Sequence, residues 1–196
     1  MLSRSAAAKR RTSLCRGSAA TKIGADKLAE AFHLSFGLPV VVVRPFNTYG
    51  PRQSARAVIP TIVTQCLTGA PVKLGNLTPT RDMNYVTDTA EGFVRAGSSS
   101  AEAVGQAINI GTGREIAIGD LARKIAEIIG VPLRIEQESQ RLRPEGSEVE
   151  RLCAANARAG DLLGWAPQVS LDEGLGRTIE WIKQNLERYR PGSYTV

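Results

Sequence analysis

The chain has 196 residues, 42% hydrophobic and 22% charged, enough for one ordinary domain or two small ones with a buried core. No apolar run approaches the roughly 20 residues that span a bilayer, which argues against a membrane protein, and 10 Pro with 19 Gly are too few for a disordered or collagen-like chain. The net charge of +6 comes from Arg4, Lys9, Arg10, Arg11, Arg16 and Lys22 in residues 1–25, which hold no acid, so the rest of the chain is neutral and the basic balance points to no nucleic-acid groove.

Residues 1–17 carry no hydrophobic period and are rich in Arg, Ser and Ala. They resemble a transit peptide, and a disordered start or the start of a truncated gene accounts for the same composition. Ile23, Leu28, Ala29, Phe32 and Phe36 then fall at helical spacing, with Gly37 and Pro39 as a stop. Four valines, 40–43, predict a strand buried on both faces, as in a parallel sheet. NTYGPRQ reads as a loop. Ile59, Ile62, Val63 and Leu67 predict a second helix, stopped by Gly69 and Pro71. VKLG is a short strand, NLTPTRD a loop and MNYV a strand. Asp88 is expected to cap a helix through Val94. QAINIG is a strand, Leu121, Ile125 and Ile128 make a helix ended by Gly130, and 132–135 is a strand. RLRPEGSEVE is a charged loop. Asn156 caps a short helix to Leu163, and Leu171, Leu175, Ile179, Ile182 and Leu186 form the last one. Alternating strands and helices predict an α/β chain, with 40–43 and 107–110 parallel in one sheet.

Three segments can carry chemistry. RPFNTYGPR follows the four-valine strand, and ligands of open parallel sheets bind at the carboxyl ends of strands. Asn47, Thr48 and Tyr49 can present hydrogen-bonding groups there; a plain turn at Gly50 and Pro51 explains the same word. TRDMNYVTD puts Arg81 before a strand, where a guanidinium suits a diphosphate because its fork matches phosphate oxygens. A surface ion pair with Asp82 is the alternative. In QRLRPEGSEVER, Arg143 and Glu148 can clasp a phosphate and a ribose, or belong to a solvated loop. Cysteines 15, 66 and 153 are unclustered, which fits a reducing, cytoplasmic setting. The single histidine, His33, leaves no metal site expected and is read as a packed or exposed helix residue.

The order of these words resembles the C-terminal half of the extended short-chain dehydrogenase/reductase family. KIGADKLAE, RPFNTYGP, LGNLTPTRDMNYVTD, NIGTGREIAIGDLA, RLRPEGSEVERL and LGWAPQVSLDEGL follow one another at the family's intervals over about residues 18–190. Within it the chain looks most like NAD-dependent nucleotide-sugar epimerases and 4,6-dehydratases, especially bacterial ones acting on UDP-linked amino sugars or dTDP-glucose. The resemblance implies a partial Rossmann-like parallel sheet, with the cofactor half missing, plus a small α/β substrate-binding subdomain. Residues 1–21 would be a tail, 22–55 with 89–112 the remainder of the Rossmann-like domain, and 56–88 with 113–196 the substrate subdomain.

In that family a Tyr-x-x-x-Lys helix supplies the acid/base phenol and a Lys for the nicotinamide ribose. SAATK matches it, so Lys22 takes the Lys place and Ser18 the Tyr place. The 21 residues before Lys22 hold one glycine, Gly17, so the family's Gly-rich NAD turn is not seen, and NAD binding by this chain alone is not expected. The resemblance assigns Asn47, Arg81 and Arg143 to the diphosphate of a UDP- or dTDP-linked sugar. It gives Ser147 or Glu148 the ribose, and sets Val72 and Leu74 beside the base with Ile59 and Pro60 nearby. It also implies a homodimer through the helix at about 22–36. Two functions stand open. One is the substrate-binding part of a dehydratase or epimerase that oxidises a nucleotide sugar at C4 with NAD and then eliminates water or inverts a centre. The other is an inert remnant that binds the sugar weakly or pairs with a full-length homologue. Asn156 and Trp165 read as structural.

Overall fold

The computed structural model describes residues 17–139 and 149–189. Helix α1 (Gly17–Phe36) leads through Gly37 into β1 (Val42–Pro45), which pairs in parallel with β6 (Ala107–Ile110), Val42 opposite Ala107 and Pro45 opposite Ile110. This is the parallel pairing that the sequence predicts. The valines themselves depart from expectation. The strand begins at Val42, and Val40 to Val43 are half-buried. Valines of a parallel sheet are fully enclosed only when helices cover both faces, and among the described residues β1 has β6 as its one strand neighbour.

NTY is a strand, not a loop. β2 (Asn47–Tyr49) runs parallel to β5 (Met83–Tyr85), with Asn47 opposite Met83. Asn is a turn former in isolation, but here a partner strand takes its backbone. Between them lie α2 (Val58–Leu67), β3 (Val72–Leu74) and β4 (Thr80–Arg81), the last inside the segment expected to be a loop. Helix α3 (Val86–Gly97) follows β5 at once. A short 3-10 turn at Ala101–Ala103 leads into β6, and β7 (Ile116–Ala117), α4 (Ile118–Ile129) and β8 (Ile135–Gln137) come next. β8 pairs in parallel with β3 and starts later than expected, where Arg134 O accepts from Val72 N. β9 (Arg151–Leu152) lies parallel to β4, and β7 antiparallel to it. The chain ends through α5 (Ala157–Leu163), α6 (Leu171–Gln184) and a 3-10 turn, Leu186–Tyr189.

Two buried clusters hold these elements. The larger gathers α2, α4 and α6 around β2, β3 and β5. Ile62, Val63, Leu121, Ile125, Leu175 and Ile182 are each 0% exposed, and a fully buried aliphatic side chain contributes roughly 1.5–3 kcal/mol. In α4, positions 121, 122, 125 and 126 share the buried face. The smaller cluster packs Ile108 and Ile110 of β6 against Ala96, Ala103, Ala159, Leu163 and Trp165. Helix α3 reaches β6 closely because residue 92 is glycine; a Cβ there would lie 2.9 Å from Ile110.

Caps differ from the sequence reading. Ser170 caps α6 by accepting from Glu173 N. Asp88 does not cap α3: it is the third helical residue, behind an N-cap at Tyr85, and its carboxylate reaches Gln168 N and Val169 N across the fold. Asn156 occupies the N-cap of α5 but donates its amide to Gly111 O.

Candidate functional site

The carboxyl end of β1 runs straight into β2, so Asn47 sits where the parallel pair ends. It is half-buried and its Nδ2 donates to Asp82 O at 3.2 Å. Arg81, at the end of β4, is also half-buried. Its Nη1 donates to Thr80 O at 2.8 Å and to Val149 O at 2.7 Å. Because β9 pairs with β4, the residues just after the 140–148 segment lie beside Arg81: Thr80 N donates to Glu150 O and Asp82 N to Leu152 O. Asn47, Arg81 and the strand leaving the 140–148 segment therefore converge. Arg143, Ser147 and Glu148 lie outside the described residues, as does the side chain of Ser18.

Asp82 is the residue that sequence reasoning missed. The sequence offers it only as the alternative surface partner of Arg81, yet it is 0% exposed. Its Oδ1 accepts from Thr112 N at 2.9 Å and Thr112 Oγ1 at 2.7 Å; its Oδ2 accepts from Gly113 N at 2.9 Å and Ala154 N at 3.0 Å. No local signal finds it: Asp82 lies between β4 and β5, and its donors come from residues 30 to 72 positions away.

The other assigned residues sit elsewhere. Ile59, Val72 and Leu74 are 1%, 1% and 4% exposed within the larger core, and Pro60 beside Ile59 is buried. Lys22 is exposed on α1. His33 makes a 2.8 Å contact from Nδ1 to Leu38 O and packs against Gly105. It lines a cavity of about 190 Å³ with Asp26, Glu30, Val42 and Arg44, where Asp26 pairs with Arg44 at 2.7 Å. Tyr49, the next tyrosine after the Ser18 position, is no substitute acid/base group. It is 2% exposed, donates to Leu171 O at 3.3 Å, and burial with the neighbouring Tyr85 and carboxylates pushes its phenol far above the usual range.

Charge around Arg81 is ordered. Glu115 accepts from Arg151 at 2.7 Å and from Thr80 Oγ1 at 2.9 Å, and these bonds hold its carboxyl below the ordinary range. Burial, then the Asp82 carboxylate, pushes the Cys153 thiol up. A dinucleotide pyrophosphate needs free backbone N–H groups at a Gly-rich turn. Among the described residues, the Gly-containing turn after β6, 111–113, gives the N–H groups of Thr112 and Gly113 to Asp82. The described residues thus do not form an NAD cradle. No group of three or more metal-ligating side chains occurs among them, and none of their helices is long and apolar enough to cross a membrane.

Residues 18–178 match the family model described as GDP-mannose 4,6 dehydratase. The chain is 33% identical over 172 residues to UDP-glucuronate 4-epimerase of Thermodesulfobacterium geofontis, covering 86% of this chain and 51% of that protein. It is 34% identical over 169 residues to dTDP-glucose 4,6-dehydratase of an Actinoplanes species, covering 85% and 51%. It superposes on UDP-glucuronic acid 4-epimerase from Bacillus cereus, solved with UDP-glucuronic acid and NAD, with a TM-score of 0.78 and 30% identity over 85% of this chain and 52% of that one. The chain spans about half the length of these relatives.

Proposed function

The chain belongs to the GDP-mannose 4,6-dehydratase family of NAD-dependent epimerases and dehydratases, and from that premise we propose that residues 17–189 are the nucleotide-sugar-binding part of such an enzyme. The observation that carries this reading is the convergence of Asn47, Arg81 and β9 on Asp82. A guanidinium and an amide at one loop cluster match the oxygens of a diphosphate, and charge-assisted hydrogen bonds are about twice as strong as neutral ones. Arg143 joins them and Ser147 or Glu148 takes the ribose, whereas Ile59, Pro60, Val72 and Leu74 are buried in the larger core and present no exposed wall to the base. The division into 22–55 with 89–112 and 56–88 with 113–196 is kept in outline. The two buried clusters support it, with α5 and Trp165 joining the smaller one and Tyr49 the larger.

The Bacillus cereus 4-epimerase was solved with UDP-glucuronic acid and NAD. For this chain the ligand is a UDP- or dTDP-linked sugar, and the reaction it serves is epimerisation or dehydration of that sugar. Lys22 takes the lysine place of the acid/base pair. A second reading is an inert binder that pairs with a full-length homologue. It is favoured by Ser18 in the tyrosine place. Self-association through α1 fits either reading, because Leu28, Phe32 and Phe36 recur at a four-residue spacing and are 61%, 45% and 76% exposed.

Ligand-observed NMR with UDP-glucuronic acid tests the assignment. Dissociation constants in the high-micromolar to millimolar range are expected, about −4 to −5.5 kcal/mol, weakening with salt. Arg81→Ala should lower the affinity about tenfold or more, since a hydrogen bond to a charged group contributes roughly 1.5–3 kcal/mol. Wild-type binding that Arg81→Ala leaves unchanged would refute the diphosphate assignment.

A further inference from the structure

We propose that Asp82 is the positioning residue of the nucleotide site: its buried carboxylate and its backbone fix Arg81, Asn47 and the strand leaving the 140–148 segment in one arrangement. The inference rests on the reading of this site as a diphosphate binder.

One residue here touches three other segments. Its carboxylate holds Thr112 and Gly113 of the turn after β6, and Ala154 after β9. Its N–H donates to Leu152 O at 2.9 Å, and its carbonyl accepts the Asn47 amide at 3.2 Å. Arg81 precedes it directly. A carboxylate that is 0% exposed is costly to bury unless its oxygens are satisfied, and four donors from two separate segments meet that need. The approach is tight: a Cβ on Gly111 would lie 2.6 Å from Ala154 and 3.1 Å from Asp82 Oδ2. Both oxygens are taken by protein donors, so the carboxylate acts through its neighbours. The Asp82 N–H···Leu152 bond and the Thr80 N–H···Glu150 bond lock β9 against β4, which sets Val149 O where Arg81 Nη1 meets it. Loosening Ala154 and the 111–113 turn frees β9, and with it Arg81.

A clamp that serves folding alone predicts lower stability with an unaltered site. The test therefore compares wild type, Asp82→Asn, Arg81→Ala, the double variant and Asp88→Asn. Asp88 is also a buried carboxylate holding two backbone N–H groups, on a different segment. UDP is the probe, read by ligand-observed NMR, and the Arg81 guanidinium is read by ¹⁵N NMR without ligand. Asp82→Asn should weaken UDP about tenfold, as Arg81→Ala does, and the double variant should lose no more than Arg81→Ala alone. Asp88→Asn should leave UDP affinity unchanged. Without ligand, the Arg81 Nη1 protons should exchange slowly in wild type and Asp88→Asn and fast in Asp82→Asn. Losses that multiply in the double variant, or wild-type affinity in Asp82→Asn, would overturn the proposal. If wild type binds no UDP, the diphosphate reading fails, and an Arg81 signal unchanged by Asp82→Asn then overturns the positioning as well. If Asp82→Asn does not fold, Thr112→Val takes its place. That variant removes one donor and should weaken UDP about threefold and quicken Arg81 exchange; no change in either overturns the claim.

Discussion

Replacing Asp88 by alanine removes the side chain that ties α3 to the entry of α6. The residue is 4% exposed, and a single oxygen, Oδ2, accepts both Gln168 N and Val169 N at 3.0 Å. The same residue's carbonyl accepts Trp165 Nε1 at 2.9 Å, so the connection also anchors the smaller core. A hydrogen bond to a charged group contributes about 1.5–3 kcal/mol. Gln168 is exposed, so water replaces part of what its N–H loses, whereas Val169 is half-buried. A loss of about 3 kcal/mol follows for Asp88→Ala. With a urea slope of about 2 kcal/mol/M the midpoint falls by about 1.5 M. Asparagine keeps one carbonyl oxygen in reach of both donors, so Asp88→Asn should recover more than half of the loss. Equilibrium urea unfolding followed by tryptophan fluorescence measures both. If Asp88→Ala stays within about 0.5 kcal/mol of wild type, the cross-fold clamp is not a source of stability.

Gly174→Ala should destabilise by about 1–3 kcal/mol, because the new Cβ would lie 2.2 Å from Tyr49 Oη and 2.9 Å from Tyr85; a melting temperature equal to wild type contradicts this. Stability should fall as pH rises above about 9. Burial raises the Cys66 thiol from its ordinary 9.0 and the Tyr49 phenol from 10.0, so the unfolded chain releases these protons first and alkali favours it. Chemical denaturation at pH 7 and pH 10 reads the difference, and equal midpoints refute it. Phe32→Lys with Phe36→Lys should abolish self-association and dye binding by the exposed α1 stripe while leaving the melting temperature within a few degrees; sedimentation that still shows the wild-type species argues against that face.

The fold was legible where one segment decided its own structure. Periodic apolar positions placed α2, α4 and α6, and the parallel pairing of 42–45 with 107–110 followed from two apolar runs joined by helix signals. Where a distant segment decided, the sequence misled. Asn47 to Tyr49 form a strand because 83–85 lie alongside, and Asp88 serves residues 80 positions away instead of its own helix end. Asp82 shows the limit most plainly. Beside Arg81 it looks like half of a surface ion pair, and only the meeting of the 111–113 turn with Ala154 reveals why a carboxylate is buried there. The segment order carried the family because spacing along the chain needs no partner to be read. The exposure of the valines depended on what flanks β1, which no local pattern encodes.

Protein-observed NMR on a titration with a UDP-sugar tests the central claim most directly. The account predicts saturable shifts at the Asn47 amide, the Arg81 guanidinium, and the backbone N–H groups of residues 149–152, with α1 and the His33 cavity unchanged. Shifts confined to α1, or none at these three places while the ligand demonstrably binds, would contradict it.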